Sequence, residues 1–284
     1  MEEGLRGVSR ITSDQRDVVS SAAGAADFPS RAWRLRGVRS TCCVQDSMAA
    51  ISQNNTSFRP ISVLKKIVVP SGSRPRTIPF GLFKGLRLNI DLTSQTQFYL
   101  GLHEFETHPY IREALKRSNW LIDAGAGVGE LCILFRKNLC RAIAVEPDEA
   151  CLSLMRSNLA LNGLSDSDVE IVPKYVGTAS NHDHIRLDDI HVDRSGAGFI
   201  KIDIEGSEMD ALEGAVSLLG QADVSLLVEV HTRELEIRCI EFFEQHRYSS
   251  MVVTNSRWRC VIPELRPSAH NRWIWAKPLT FRAG

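Results

Sequence analysis

The chain has 284 residues, with 34 basic and 34 acidic side chains, a formal net charge of zero and 43% hydrophobic residues. This balance lacks the basic footprint of a nucleic-acid or anionic-membrane binder, and the length allows a sizeable buried core. No stretch approaches the roughly 18 uncharged apolar residues a membrane-crossing helix needs; the most apolar window, Leu121 to Phe135, is broken by Asp123 and Glu130.

Residues 1–60 are rich in Ser, Ala, Arg and Gly and lack periodicity, which predicts a poorly ordered extension. Glu2, Glu3, Asp14, Asp17 and Asp27 argue against a transit peptide, and Met48 is an alternative start. Residues 61–118 read as a lead-in. Ile61 to Val69 is a short helix or strand, and Gly72, Pro75 and Pro79 mark turns. Leu86, Leu88 and Ile90 alternate as in a strand, and Pro109 to Lys116 has the spacing of a short amphipathic helix.

From Trp120 strands and helices alternate, the pattern of a parallel sheet covered on both faces. Core strands are expected at Trp120–Ile122, Arg141–Glu146, Val169–Val172, Phe199–Gly206 and Val224–Val230, with His184–Ile190 a short strand entering a loop. Helices are expected at Gly129–Lys137, from an Asp148 cap to Asn162-Gly163, at Glu208–Leu219 and at Thr232–His246. Tyr248–Thr254 and Arg272–Ala276 would close the sheet as an antiparallel pair. Region 119–278 is therefore expected to be α/β, Rossmann-like, with a mostly parallel seven-stranded sheet and an antiparallel last strand.

Seven cysteines (Cys42, Cys43, Cys132, Cys140, Cys151, Cys239 and Cys260) include no CxxC pair. They read as free thiols in a reducing, cytoplasmic setting, without a cysteine metal site or disulfide framework.

Three features carry chemistry. Asp123-Ala-Gly125-Ala-Gly127-Val-Gly129 is a tight turn from strand to helix. Its spacing differs from the Gly-x-Gly-x-x-Gly of a dinucleotide turn, where a helix end meets a pyrophosphate, and suits a ligand without phosphate lying on bare backbone. Glu146 ends the next strand, 17 residues after Gly129, where a carboxylate can take both hydroxyls of a ribose. Asp203 and Glu205 end a strand that should be nearly all apolar, so Asp203 in particular is read as functional, while Glu205 and Glu208 also suit a helix start.

These residues resemble the FkbM family of S-adenosylmethionine-dependent methyltransferases. The resemblance rests on Asp123 to Gly129, Glu146-Pro147, Leu187-Asp188-Asp189 and, most specifically, Ile200-Lys201-Ile202-Asp203-Ile204-Glu205-Gly206-Ser207-Glu208 with Met209 to Gly214. Gly81 to Leu86 and Tyr99 to Glu104 are similar to the family's lead-in. It implies a class I methyltransferase fold in which Asp123, Gly125, Gly127, Gly129, Glu146 and Glu104 bind S-adenosyl-L-methionine. It also implies methylation of a hydroxyl on a sugar, glycolipid or secondary metabolite. One departure is Gly127, where the family more often has Asn or Ser.

Within that reading Asp203 and His231, ending two core strands at one edge, are candidate bases for the acceptor hydroxyl. Asp189 and Glu205 are candidate substrate ligands. No metal site is expected, although Asp189, Asp203 and Glu205 offer the oxygen ligands of Mg²⁺ or Ca²⁺. Trp258 and Arg259 offer a stacking surface for a sugar, with packing as the plainer role. Two other readings are an NAD-dependent oxidoreductase and a non-catalytic cofactor-binding scaffold. The expected partner is a small-molecule or glycan acceptor, not nucleic acid.

Overall fold

The computed structural model describes residues 72–260 and 270–279. The proposed N-terminal extension, the segment Ile61 to Val69 and Cys42 and Cys43 lie outside them.

The lead-in begins with β1 (Arg74–Thr77) and β2 (Arg87–Ile90), paired antiparallel. Pro75 therefore sits in a strand rather than in a turn, opposite Asn89. It is tolerated because β1 is an edge and its missing N–H interrupts no further ladder. The one-turn α1 (Thr96–Tyr99) and α2 (His108–Arg117) follow, and then β3 (Trp120–Ala124), α3 (Glu130–Lys137), β4 (Arg141–Val145), α4 (Glu149–Leu161) and β5 (Val169–Val172). The Asp148 carboxylate accepts the Cys151 N–H at 2.9 Å, the expected cap of α4. A small parallel pair, β6 (Tyr175–Val176) and β7 (His184–Ile185), leads into β8 (Gly198–Ile202).

The helix expected at Glu208–Leu219 is two helices, α5 (Glu208–Glu213) and α6 (Val216–Gln221). The break has a local cause. Asp188 accepts the N–H groups of Ser217 and Leu218 at 3.2 and 2.7 Å and so caps a new helix start. Its own N–H goes to the Gly214 carbonyl at 2.8 Å. Then come β9 (Val224–Val230), α7 (Arg233–Gln245), β10 (Tyr248–Val253) and β11 (Arg272–Pro278).

Seven strands form one sheet in the order β10-β11-β9-β8-β3-β4-β5, parallel except for β11, which runs antiparallel to both neighbours. The expected Rossmann-like architecture is present. Alternation along β3 explains its two cores. Leu121 packs with Ile133, Phe135, Leu152 and Met155 of α3 and α4, together with Leu88 and Ile90 of the lead-in. Ile122 faces the opposite layer, with Leu212, Leu218 and Phe243 of α5, α6 and α7. Each such side chain contributes about 1.5–3 kcal/mol by leaving water. Cys132, Cys140 and Cys239 are buried free thiols as expected; Cys151 is disulfide-bonded, which corrects the expectation for that residue.

Candidate functional site

Parallel pairing puts the carboxyl ends of β3, β4, β8 and β9 along one edge of the sheet. Asp203 follows β8 directly, His231 follows β9, and Glu146 follows β4. The glycine turn leaves β3 at the same edge, where open α/β sheets bind ligands.

The turn is held from below. Gly125 and Ala126 donate to the Val145 carbonyl at 2.9 and 3.2 Å. Gly125 has φ of +83°, and a Cβ there would lie 2.0 Å from the Asp203 carbonyl oxygen. Only glycine fits this approach of turn to strand end. Gly127 and Gly129 also have positive φ, and Gly129 precedes α3.

Glu146 is buried to 1% exposure. Its Oε2 accepts the Gly127 N–H and its Oε1 the Asp148 N–H, both at 2.9 Å. The carboxylate thus joins the turn to the start of α4. Asp123 is buried at the end of β3. Its Oδ2 accepts a weak hydrogen bond from the Cys132 thiol at 3.7 Å, while Oδ1 is buried without a hydrogen-bond partner among the described residues. Burial, with Glu130 and Asp203 adding to it against Lys201, pushes its pKa up to about 8.

Beside the turn lies a charged cluster. Lys201 Nζ donates to Asp203 Oδ2 at 2.7 Å. Burial opposes the lysine charge, but Asp203, Glu104, Asp123 and Glu229 together hold its pKa well above the ordinary value. Burial would raise Asp203, yet Lys201, His231 and a hydrogen bond from Glu229 bring it below the carboxylate range. Glu229, buried in β9, is pushed well above that range by burial and by Asp203 and Glu104, and is the protonated partner of the pair.

His231 Nδ1 donates to Glu208 Oε1 at 2.6 Å. Glu208 is fully buried, so its place in the first turn of α5 serves more than the helix dipole. Burial disfavours the imidazolium, but Glu208, Asp203 and Glu205 outweigh it and raise the His231 pKa. Glu205 is partly buried next to these groups, and burial raises its own pKa. Glu104 sits in the left-handed region at φ 44°, 3.4 Å from His103.

Asp123, Glu104, Asp203, Glu205 and His231 are thus brought into one electrostatic neighbourhood, while Glu146 is bonded to the turn at Gly127. Asp189 is engaged elsewhere: exposed, it accepts from Arg186 at 2.9 and 3.1 Å and from Ser180 at 2.5 Å. Those partners hold its pKa at about 2. Trp258 and Arg259 are packing residues. Arg259 is spent on Glu106, and its guanidinium lies 4.4 Å from the Trp258 ring centroid.

Three groups escaped the sequence reading as parts of a site: Lys201 as the internal counter-charge, Glu229, and Glu208 as the partner of His231. The signal for the first two was present. Each is a charge inside an otherwise apolar strand, the argument that singled out Asp203. The third had no sequence signal, because a glutamate at a helix start is ordinary.

The fold is Rossmann-like, with the glycine turn and the strand-end charges along one edge of its sheet. Residues 176–250 match the family model of the methyltransferase FkbM domain. Over that segment the chain is similar to the FkbM methyltransferase domain. Among solved structures it is similar to methyltransferase FkbM from Methylobacillus flagellatus, at 20% identity over 66% of this chain and 56% of that one, TM-score 0.45. It is also similar to a SAM-dependent O-methyltransferase from Thermotoga maritima, at 18% identity over 62% and 66%, TM-score 0.40. A third is precorrin-6y C5,15-methyltransferase from Geobacter metallireducens, at 19% over 60% and 87%, TM-score 0.40. No curated protein matches the chain significantly. Among the described residues no helix is long and apolar enough to cross a membrane.

Proposed function

We propose that this methyltransferase uses S-adenosylmethionine and acts on a hydroxyl of a small-molecule or glycan acceptor, such as a sugar, glycolipid or secondary metabolite, in the cytoplasm. The observation that carries the reading is the Gly127–Glu146 contact, a buried carboxylate fixed against an alternate-glycine turn at the mouth of the sheet.

The residues fit such a cofactor. Glu146 would accept the ribose hydroxyls, and Gly125, Gly127 and Gly129 leave the backbone bare. Asp123 Oδ1, buried without a partner, fits an ammonium or other donor. The acids around Lys201 suit a cationic ligand. When bound, S-adenosylmethionine supplies an electrophilic methyl on a sulfonium.

The chain's own task is to align the acceptor oxygen with that methyl and to receive its proton. Alignment is worth roughly 7–11 kcal/mol in favourable cases. Asp203 and His231, at the ends of adjacent strands, are the groups to take the proton, an effect of about 10²–10⁴ in rate. Glu205 is the group to orient the acceptor, with Glu104 on the cofactor side.

Calorimetric titration with S-adenosylhomocysteine, with NADH in parallel, tests the reading. Binding of the first and not the second is expected, with loss in Gly127→Arg and Glu146→Ala. Binding of NADH alone overturns it.

A further inference from the structure

We propose that Asp203, Glu229 and His231 form a divalent-cation site of the manganese type. One ligand atom from each lies within 4.8 Å of the others, at the adjoining ends of β8 and β9. The set differs from the Asp189–Asp203–Glu205 set that the sequence offers. Two carboxylate oxygens and one imidazole nitrogen suit a borderline-hard divalent ion such as Mn²⁺.

A separate observation points the same way. Glu208 is fully buried and directed at the cluster through its 2.6 Å contact with His231 Nδ1. Its Oε2 is buried without a hydrogen-bond partner among the described residues. Metal-bound imidazoles characteristically use their other ring nitrogen on such a carboxylate, which fixes the tautomer and raises ligand strength. An orphaned carboxylate oxygen behind the histidine marks a corner short of positive charge. Lys201, the cation of the cluster, is committed to Asp203 Oδ2 at 2.7 Å. A single divalent ion on the three ligands redresses that imbalance.

The consequence for chemistry rests on the hydroxyl-methylating reading, whereas the cation site does not. A hydroxyl bound to the ion loses its proton more readily, and Asp203 and His231 then act as ligands and no longer take the proton directly.

The test uses the full chain, stripped with chelator and titrated with MnCl₂, following free Mn²⁺ by electron paramagnetic resonance and heat by calorimetry. One saturable Mn²⁺ per chain is expected. Glu229→Gln and His231→Ala should weaken it by at least about tenfold, and Glu208→Gln by about 10–100-fold. Paramagnetic broadening of the His231 ring signals in the unmutated protein needs no variant. Absence of saturable binding, absence of that broadening, or equal affinity in Glu229→Gln overturns the proposal. S-adenosylhomocysteine titrated into the same samples separates the two ideas. Variants that keep it are folded, so their Mn²⁺ loss is loss of ligands. If the unmutated chain binds Mn²⁺ but no S-adenosylhomocysteine, the methyl-donor reading fails and the cation site stands.

Discussion

Arg259 and Glu106 meet in a two-pronged ion pair, Nε to Oε1 at 3.0 Å and Nη2 to Oε2 at 2.8 Å, across 153 residues of chain. Arg259 also donates to the Leu102 carbonyl at 2.7 Å and to Gln97 at 3.1 Å, while the Ser256 N–H reaches Glu106 at 2.8 Å. The pair therefore fastens the segment after β10 to the lead-in. Breaking it from one side leaves a buried charge alone, which costs about 3–5 kcal/mol. Glu106→Ala should lose stability of that order in urea denaturation, and a loss under about 1 kcal/mol would contradict the clamp.

The same pair sets an acid limit. Burial would raise the Glu106 pKa from 4.5, but Arg259 and Ser256 bring it to about 2. A depressed folded pKa means stability that is complete above the unfolded value and is lost as pH falls from 4.5 through 2. Denaturation midpoints followed from pH 6 to pH 2 should show that loss, and Glu106→Gln should lack this component.

Asp123 titrates with the opposite sign. Its folded pKa, raised by burial to about 8 from 3.8, makes the folded state hold a proton that the unfolded state releases. Its contribution is present below 3.8 and lost as pH rises through 8. Stability measured between pH 5 and pH 9 should therefore decline with a slope that Asp123→Asn flattens. An unchanged slope would show the carboxyl to be ionised throughout.

Gly125→Ala should disturb turn and strand together. The substitution forces an L residue to positive φ, at about 1–3 kcal/mol, and drives its Cβ into the Asp203 carbonyl. Reduced stability and weaker S-adenosylhomocysteine binding are expected together. Gly163→Ala, with φ +73° but nothing within 4 Å of its Cβ, should cost stability without affecting binding.

Asp203→Asn separates binding from transfer. With Lys201 and Glu229 left in place, S-adenosylhomocysteine affinity should change little, while methyl incorporation into a panel of hydroxylated acceptors should fall by about 10²–10⁴. Loss of binding in a folded variant would assign Asp203 to the cofactor instead.

Much of this protein was legible in one dimension, because the signals involved are local. Strand-tip acids, a glycine turn and a helix cap at Asp148 depend on neighbours a few residues away. They sufficed for the Rossmann-like sheet, its antiparallel β11 and the edge where Glu146, Asp203 and His231 gather. Other features exist only after distant segments meet. Asp188 splits the α5–α6 region by capping Ser217 and Leu218, about 30 residues ahead. Glu208 is an ordinary helix-start acid until folding buries it against His231, and Glu229 becomes a proton-holding partner only beside Asp203. Arg259 looked available for a ligand and is consumed by Glu106. Local sequence determines which backbone shapes and charges are present. The tertiary structure decides which charges lose water and which partner each then meets, since desolvation and Coulomb energy both depend on distances that sequence spacing does not contain.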